Sequence, residues 1–249
     1  MEHEVDVADK RLIIATPCYD SKVHVSVLEA MLNTKALAGS YGLSVAFYFK
    51  AGCSLLDKAR NEIVHGFRKG LGTHLLCVDS DVVWNPKDAV KMVAQSVAHP
   101  EKILVGAYPT KNKDKAEFHY PITVNEDKTT SVEDGLIQVN TAAAGFMLLS
   151  KEHLDTMAEA LPEESYYVDN FGEFKGEDIP CLFESKVVDH SYVGEDVLFC
   201  RRAADAGLKI WVDPSIRLQH VGEYPYEHDF VEWVKTTYAI REHTSGDVQ

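Results

Sequence analysis

The chain has 249 residues, 45% hydrophobic and 26% charged, enough to bury one substantial core. Its formal net charge of −14 argues against a generally basic nucleic-acid footprint, although the locally basic "PTKNKDK" leaves room for a phosphate or nucleic-acid contact. No stretch approaches eighteen apolar residues, so no membrane span is expected, and the acidic start "MEHEVDVADK" is unlike a secretory signal.

Strands and helices alternate along the first half. "RLIIATP" (Arg11–Pro17) is a β-branched run ended by proline and predicts a buried strand. "VHVSVLEAMLNTKAL" (Val23–Leu37) has helical spacing and stops near Gly39, and "LSVAFYF" (Leu43–Phe49) is a second strand. "SLLDKARNEIVHGFRKG" (Ser54–Gly70) predicts an amphipathic helix with Ser54 as its cap and Gly70 as its stop. "THLLCVD" (Thr73–Asp79) is a third strand. "NPKDAVKMVAQSVA" (Asn85–Ala98) opens with an Asn cap and proline at the first helical position, and "KILVGAY" (Lys102–Tyr108) is a fourth strand. This order predicts an α/β fold, a mainly parallel sheet with helices on both faces.

The second half is less regular. "GLIQV" and "GFMLLS" read as strands, "KEHLDTMAEAL" and "GEDVLFCRRAADAG" as helices, and "KIWVDP" and "IRLQHVG" as short strands. Pro162–Ser191 is acidic, aromatic and rich in turn residues, and reads as a loop over a site. No repeat or linker divides the chain, so residues 1–249 are expected to form one domain. Five scattered cysteines with no C-x-x-C pair predict reduced thiols and a cytosol-like compartment rather than disulfides or zinc.

The chemistry centres on "HLLCVDSDVVW" (His74–Trp84), where an apolar strand ends at two aspartates, Asp79 and Asp81, flanking Ser80. In open α/β sheets ligands bind beyond the carboxyl ends of the strands. Two carboxylates there suit Mg²⁺ or Mn²⁺, whose shells are completed by phosphate and water, though a lone D-x-D is also an ordinary turn. Later, Glu195 and Asp196 sit together at a helix start, where the dipole favours ionised carboxylates, and His220 follows a short strand.

These motifs together, with "EDVLFCRRAADAGLKIWVDPSIRLQHVG" the most specific of them, resemble the GT-A glycosyltransferases over roughly Arg11 to Gly222. The opening "ATPCYDS" and the block "LLDKARNEIV…THLLCVDSDV" look like small standalone viral and phage-type members. The resemblance implies a nucleotide-binding half over about 11–108 and an acceptor half over about 109–240. It also implies a nucleotide-sugar donor, a hydroxyl acceptor, Mn²⁺ or Mg²⁺, and a cytoplasmic protein, in the host cytoplasm if viral. On the donor side it implies roles for Thr16, Pro17 and Tyr19 around the base, Arg60 on phosphate or sugar, Asp79 and Ser80 near ribose or metal, and Gly145 close to the sugar. Asp79, Asp81 and His220 would hold the metal. Asp196, beside Glu195, would be the base of an inverting transfer.

Two other readings compete. A nucleotidyltransferase needs a glycine-rich basic loop after the first strand, and "TPCYDSKV" has no glycine and only Lys22. A non-catalytic nucleotide-sugar or glycan-binding module would have little use for Asp79, Asp81, Asp196 and His220 together. Among acceptors, glycan, protein, small molecule and hydroxymethylated DNA base all stay open, with the acidic charge against DNA.

Overall fold

The computed structural model describes residues 5–111, 119–124, 129–222, 225–237 and 239–242. Nine strands form the central sheet: β1 (Arg11–Cys18), β2 (Ser44–Ala51), β3 (His74–Val78), β4 (Lys102–Val105), β5 (Thr129–Glu133), β6 (Leu136–Val139), β7 (Phe146–Ser150), β8 (Lys209–Val212) and β9 (Ala239–Glu242). Their spatial order is β9-β5-β6-β8-β4-β7-β3-β1-β2. The β2–β1–β3 unit is parallel, as the βα alternation predicts. β7, however, enters antiparallel between β3 and β4, and β6 runs antiparallel to β8 and β5, so the whole sheet is mixed.

The described residues also form six α-helices: α1 (Val25–Gly39), α2 (Leu56–Lys69), α3 (Pro86–Ala98), α4 (Lys151–Ala160), α5 (Glu195–Asp205) and α6 (Phe230–Thr237). Strand side chains alternate between faces. Leu75 and Cys77 of β3 therefore pack with Ile63, Phe67, Leu154 and Phe199, under α2, α4 and α5. Leu76 and Val78 pack with Val27, Met31, Val90 and Met92, under α1 and α3. Covered on both faces, β3 is buried at all five residues, which explains its uninterrupted apolar run.

The helix ends follow their sequence signals with one exception. Asn85 accepts from the Lys87 N–H at 3.0 Å, with Pro86 in the first turn, as expected. Ser150 and His153 form a reciprocal capping box on α4. Ser54 does not cap α2: the helix starts later than expected, leaving Leu55 at the cap with no side-chain hydrogen bond.

Pro162–Ser191, expected as a loop, is largely organised. A 3₁₀ turn (Glu163–Ser165) leads into two hairpins, Tyr166–Val168 with Asp178–Pro180 and Lys186–Val188 with Ser191–Val193. Its aromatic residues are the reason. Phe183 stacks on Phe199 at 4.4 Å and Phe174 meets His65 edge-on at 4.9 Å, which ties the segment to α5 and α2.

Candidate functional site

The carboxyl ends of β1 and β3, the start of β7 and the N-terminus of α5 all meet at one edge of the sheet. The backbone itself stitches this edge together. Asp79 N–H donates to the Gly145 carbonyl at 3.0 Å, His24 N–H to the Ser80 carbonyl at 3.0 Å, and Gly52 N–H to the Tyr19 carbonyl at 3.1 Å. A two-residue strand, Val82–Val83, leaves the D-x-D turn and pairs with Gln219–Val221, which sets His220 opposite Val82. Val221 N–H also donates to the Asp81 carbonyl at 2.8 Å. Residues more than a hundred positions apart are thus brought together by a ladder, not by a loop.

The two aspartates point to different partners, and this resolves their repulsion. Asp79 Oδ1 accepts from Arg60 at 2.8 Å, while the other terminal nitrogen of Arg60 donates to Glu195 Oε1 at 2.8 Å. Arg60 is 4% exposed, and its guanidinium lies over the Phe183 ring at 5.7 Å. The arginine keeps its charge: burial works against it, but Asp79 and then Glu195 more than compensate. Tyr108 Oη donates to Asp79 Oδ2 at 3.3 Å, and burial pushes that phenol well up, with Asp79 adding to the effect. Burial also lifts the Glu195 carboxyl; Arg60 opposes this and Asp196 reinforces it.

Asp81 has a separate set of partners. One carboxylate oxygen takes the Lys111 ammonium, and the other faces His220 Nε2 at 3.5 Å. Burial alone would raise this carboxyl, but the His220 and Lys111 contacts outweigh it and hold it at about 2. His220 Nδ1 lies 3.0 Å from the Pro109 carbonyl, and its ring meets Tyr108 edge-on at 5.0 Å. A carbonyl only accepts, so Nδ1 carries the hydrogen. In the neutral ring, Nε2 then presents its lone pair to the carboxylate, an arrangement that calls for a proton or a cation between them.

Gly145 is required here. A Cβ on it would sit 2.1 Å from Tyr108 Oη and 2.4 Å from Asp79 Oδ2. Asp196 is half-buried in the first turn of α5 beside Glu195, and its Oδ1 accepts from the Val197 N–H at 2.7 Å. Thr16, Pro17 and Tyr19 lie at the end of β1 on the same edge. Thr16 is buried, its Oγ1 without a hydrogen-bond partner among the described residues, whereas Tyr19 is 65% exposed. The structure therefore gathers the expected residues but divides them: Asp79, Arg60 and Glu195 form one cluster, Asp81 and His220 another.

Sequence reasoning missed Tyr108, and it read Lys111 only as part of the basic run "PTKNKDK", not as a partner of Asp81. Both lie just after "KILV", at the carboxyl end of β4, where the rule that placed Asp79 and Asp81 applies equally. An apolar cavity of about 310 Å³ is lined by Ile13, Ile63, Phe67, Leu75 and Phe174 and offers no comparable chemistry.

No family model and no curated protein matches the chain. Among solved structures it is similar to GalNAc-T7 with UDP, GalNAc and Mn²⁺, at 10% identity over 86% of this chain and 44% of that one, with a TM-score of 0.45. It is also similar to a glycosyltransferase involved in glycosylation of the major capsid of PBCV-1, at 13% identity over 58% of this chain and 62% of that one, with a TM-score of 0.32. The chain thus spans under half the length of the first and about three-fifths of the second. The chemistry rests on the side chains.

Proposed function

We propose that this protein is a divalent-cation-dependent glycosyltransferase of the GT-A type, moving a sugar from a nucleoside diphosphate sugar to a hydroxyl acceptor with inversion. The observation that carries the reading is the Asp81–His220 pair. A carboxylate oxygen and the imidazole Nε2 face each other at 3.5 Å at the carboxyl edge of the sheet, and the other imidazole nitrogen lies 3.0 Å from a carbonyl. That donor set fits Mn²⁺ or Mg²⁺, with substrate phosphate and water completing the shell. When bound, such an ion stabilises the charge that develops on the diphosphate leaving group.

The chain's own residues do the rest. Arg60 holds Asp79 and Glu195 in fixed positions, so the carboxylate at the strand end is oriented before any donor arrives. Gly145 lets Tyr108 and Asp79 pack directly against the backbone, which fixes the edge on which the sugar would lie. Tyr19, exposed at the end of β1, offers a face on which the nucleoside base can stack, with Thr16, Pro17 and Ser80 along the same edge. Asp196 takes the proton from the acceptor hydroxyl as that oxygen attacks the anomeric carbon, and the nucleoside diphosphate leaves from the opposite side. Lys22, the one basic residue in the loop after β1, is held by Asp20 at 3.0 Å, which weakens the nucleotidyltransferase alternative.

The test is Mn²⁺ binding followed by calorimetry or electron paramagnetic resonance, together with hydrolysis of a panel of nucleoside diphosphate sugars. Wild type should bind Mn²⁺ and release nucleoside diphosphate in a chelator-sensitive way, and Asp81→Asn and His220→Ala should lose both. Unchanged Mn²⁺ binding in both variants would remove the metal assignment. Absence of donor hydrolysis across the panel would favour a binding module.

A further inference from the structure

A second concave region adjoins Phe183, whose ring also lies beneath the Arg60 guanidinium. A groove of about 410 Å³ runs between the first turns of α2 and the Tyr166–Pro180 hairpin, its lining including Asp57, Lys58, Tyr167, Asp169 and Phe171. That volume falls at the small end of ligand clefts, roughly 300–1,000 Å³. Asn61 fixes the shared wall by donating to the Phe183 carbonyl at 2.7 Å and accepting from its N–H at 2.8 Å.

Two features of the groove point to a ligand. Phe171, at the hairpin turn, is 84% exposed, an unusual position for a large aromatic ring. Two polar groups are also buried without partners among the described residues: Tyr167 Oη and Asp169 Oδ2. Asp169 is 1% exposed, and its Oδ1 accepts from Lys58 at 3.0 Å and from the Phe171 N–H at 3.3 Å. Buried unpaired polar atoms are costly, and both residues belong to the groove's lining.

We infer that this groove binds a sugar ring of the acceptor, stacked on Phe171 and hydrogen-bonded through Tyr167 and Asp169. The proposal rests on the glycosyltransferase reading and assigns its acceptor to the carbohydrates. A pyranose presents apolar C–H faces and a rim of hydroxyls that both donate and accept, matching an aromatic face beside a carboxylate and a phenol. The charge balance selects against a nucleotide: Asp57 and Asp169 outnumber Lys58, so a phosphate would meet net repulsion whereas a neutral hydroxyl would not.

Saturation-transfer NMR on the full chain with Mg²⁺ tests this, using methyl glycosides of glucose, galactose, mannose and N-acetylglucosamine, with UMP and GMP as controls. At least one glycoside should receive saturation, and Phe171→Ala, which alters only an exposed ring, should weaken its binding about three- to tenfold in a saturation-transfer titration. Tyr167→Phe should weaken it. With an acceptor identified by transfer assay, Phe171→Ala should raise acceptor KM about three- to tenfold while leaving donor KM and donor hydrolysis unchanged. Glycoside signals insensitive to Phe171→Ala, no signal from any glycoside, or an effect on UMP, GMP or donor KM instead would each overturn the assignment. Glycoside binding without donor hydrolysis would uphold the sugar site and remove the transferase reading, so the two fail separately.

Discussion

Replacing Arg60 with methionine keeps the length and apolar contacts of the side chain but removes the one charge that Asp79 and Glu195 share. Taking away a single partner of a buried ion pair costs roughly 3–5 kcal/mol, because the charge left behind is uncompensated. Here the Asp79 and Glu195 side chains keep 27% and 17% exposure, so water recovers part of that loss and about 3 kcal/mol is expected. The deficit should depend on pH in a definite direction. Without Arg60, a Glu195 carboxyl already raised by burial shifts further above its unfolded value. A carboxyl raised in the fold takes up its proton before the unfolded chain does, so the variant recovers stability relative to wild type as pH falls through that raised pKa. Urea unfolding followed by circular dichroism, at about pH 7.5 and again at about pH 5.5, reads both effects. The double variant Arg60→Met/Glu195→Gln should be less destabilised than the sum of its single changes. A loss below about 0.5 kcal/mol at neutral pH, with no recovery in acid, would refute the tether.

Gly145→Ala should cost about 1–3 kcal/mol, because its new methyl meets both Tyr108 Oη and Asp79 Oδ2. Adding Tyr108→Phe should restore part of the melting temperature but not all, and wild-type stability for the single variant would contradict the crowding. Burial lifts the Asp88 carboxyl to about 6, with Asp213 adding and Lys91 opposing. Folded Asp88 thus keeps its proton to a higher pH than the unfolded chain does, so this group subtracts stability as pH rises from the ordinary aspartate range to about 6 and beyond. Asp88→Asn should therefore raise stability by on the order of 1 kcal/mol at neutral pH and leave it unchanged in acid, and an equal effect at both would count against the assignment. Asp196→Asn should lower kcat by roughly 10²–10⁴-fold with donor KM unchanged, since a base acts mainly in the transition state. An amide still accepts from the Val197 N–H, so activity within a few-fold of wild type would leave Asp196 as a helix-end residue only.

What was legible in the sequence was local. The β1, β2 and β3 runs, the intervening helices and the Asn85–Pro86 start of α3 all follow from periodicity and capping chemistry. The place of β7 was not legible, because "GFMLLS" reads equally well as a strand at any position in the sheet. Only packing puts it antiparallel between β3 and β4. Its insertion brings Gly145 against Asp79, so the least legible feature of the fold helps shape the candidate site. The organisation of Pro162–Ser191 was hidden similarly, since its aromatic residues find their partners on α2 and α5, far away in sequence. α6 went unread, although Asp229 caps it by accepting from the Val231 and Glu232 N–H groups.

The same distinction between local and nonlocal explains the paired aspartates. In the sequence they have no cationic neighbour, which invites the inference that one ion lies between them. The fold supplies Arg60 to Asp79 from the preceding helix and Lys111 to Asp81 from the segment after β4, so the repulsion is relieved twice and separately. The equivalence of the two carboxylates suggested by the motif is thereby broken. Asp79 is held by a buried arginine and a tyrosine and is poised as an organiser of the edge, whereas Asp81 faces the Nε2 of an imidazole. Lys111 is about one-third exposed and takes Oδ2 of Asp81, while Oδ1 faces His220, so the two contacts use different oxygens and the lysine leaves the oxygen opposite the imidazole open.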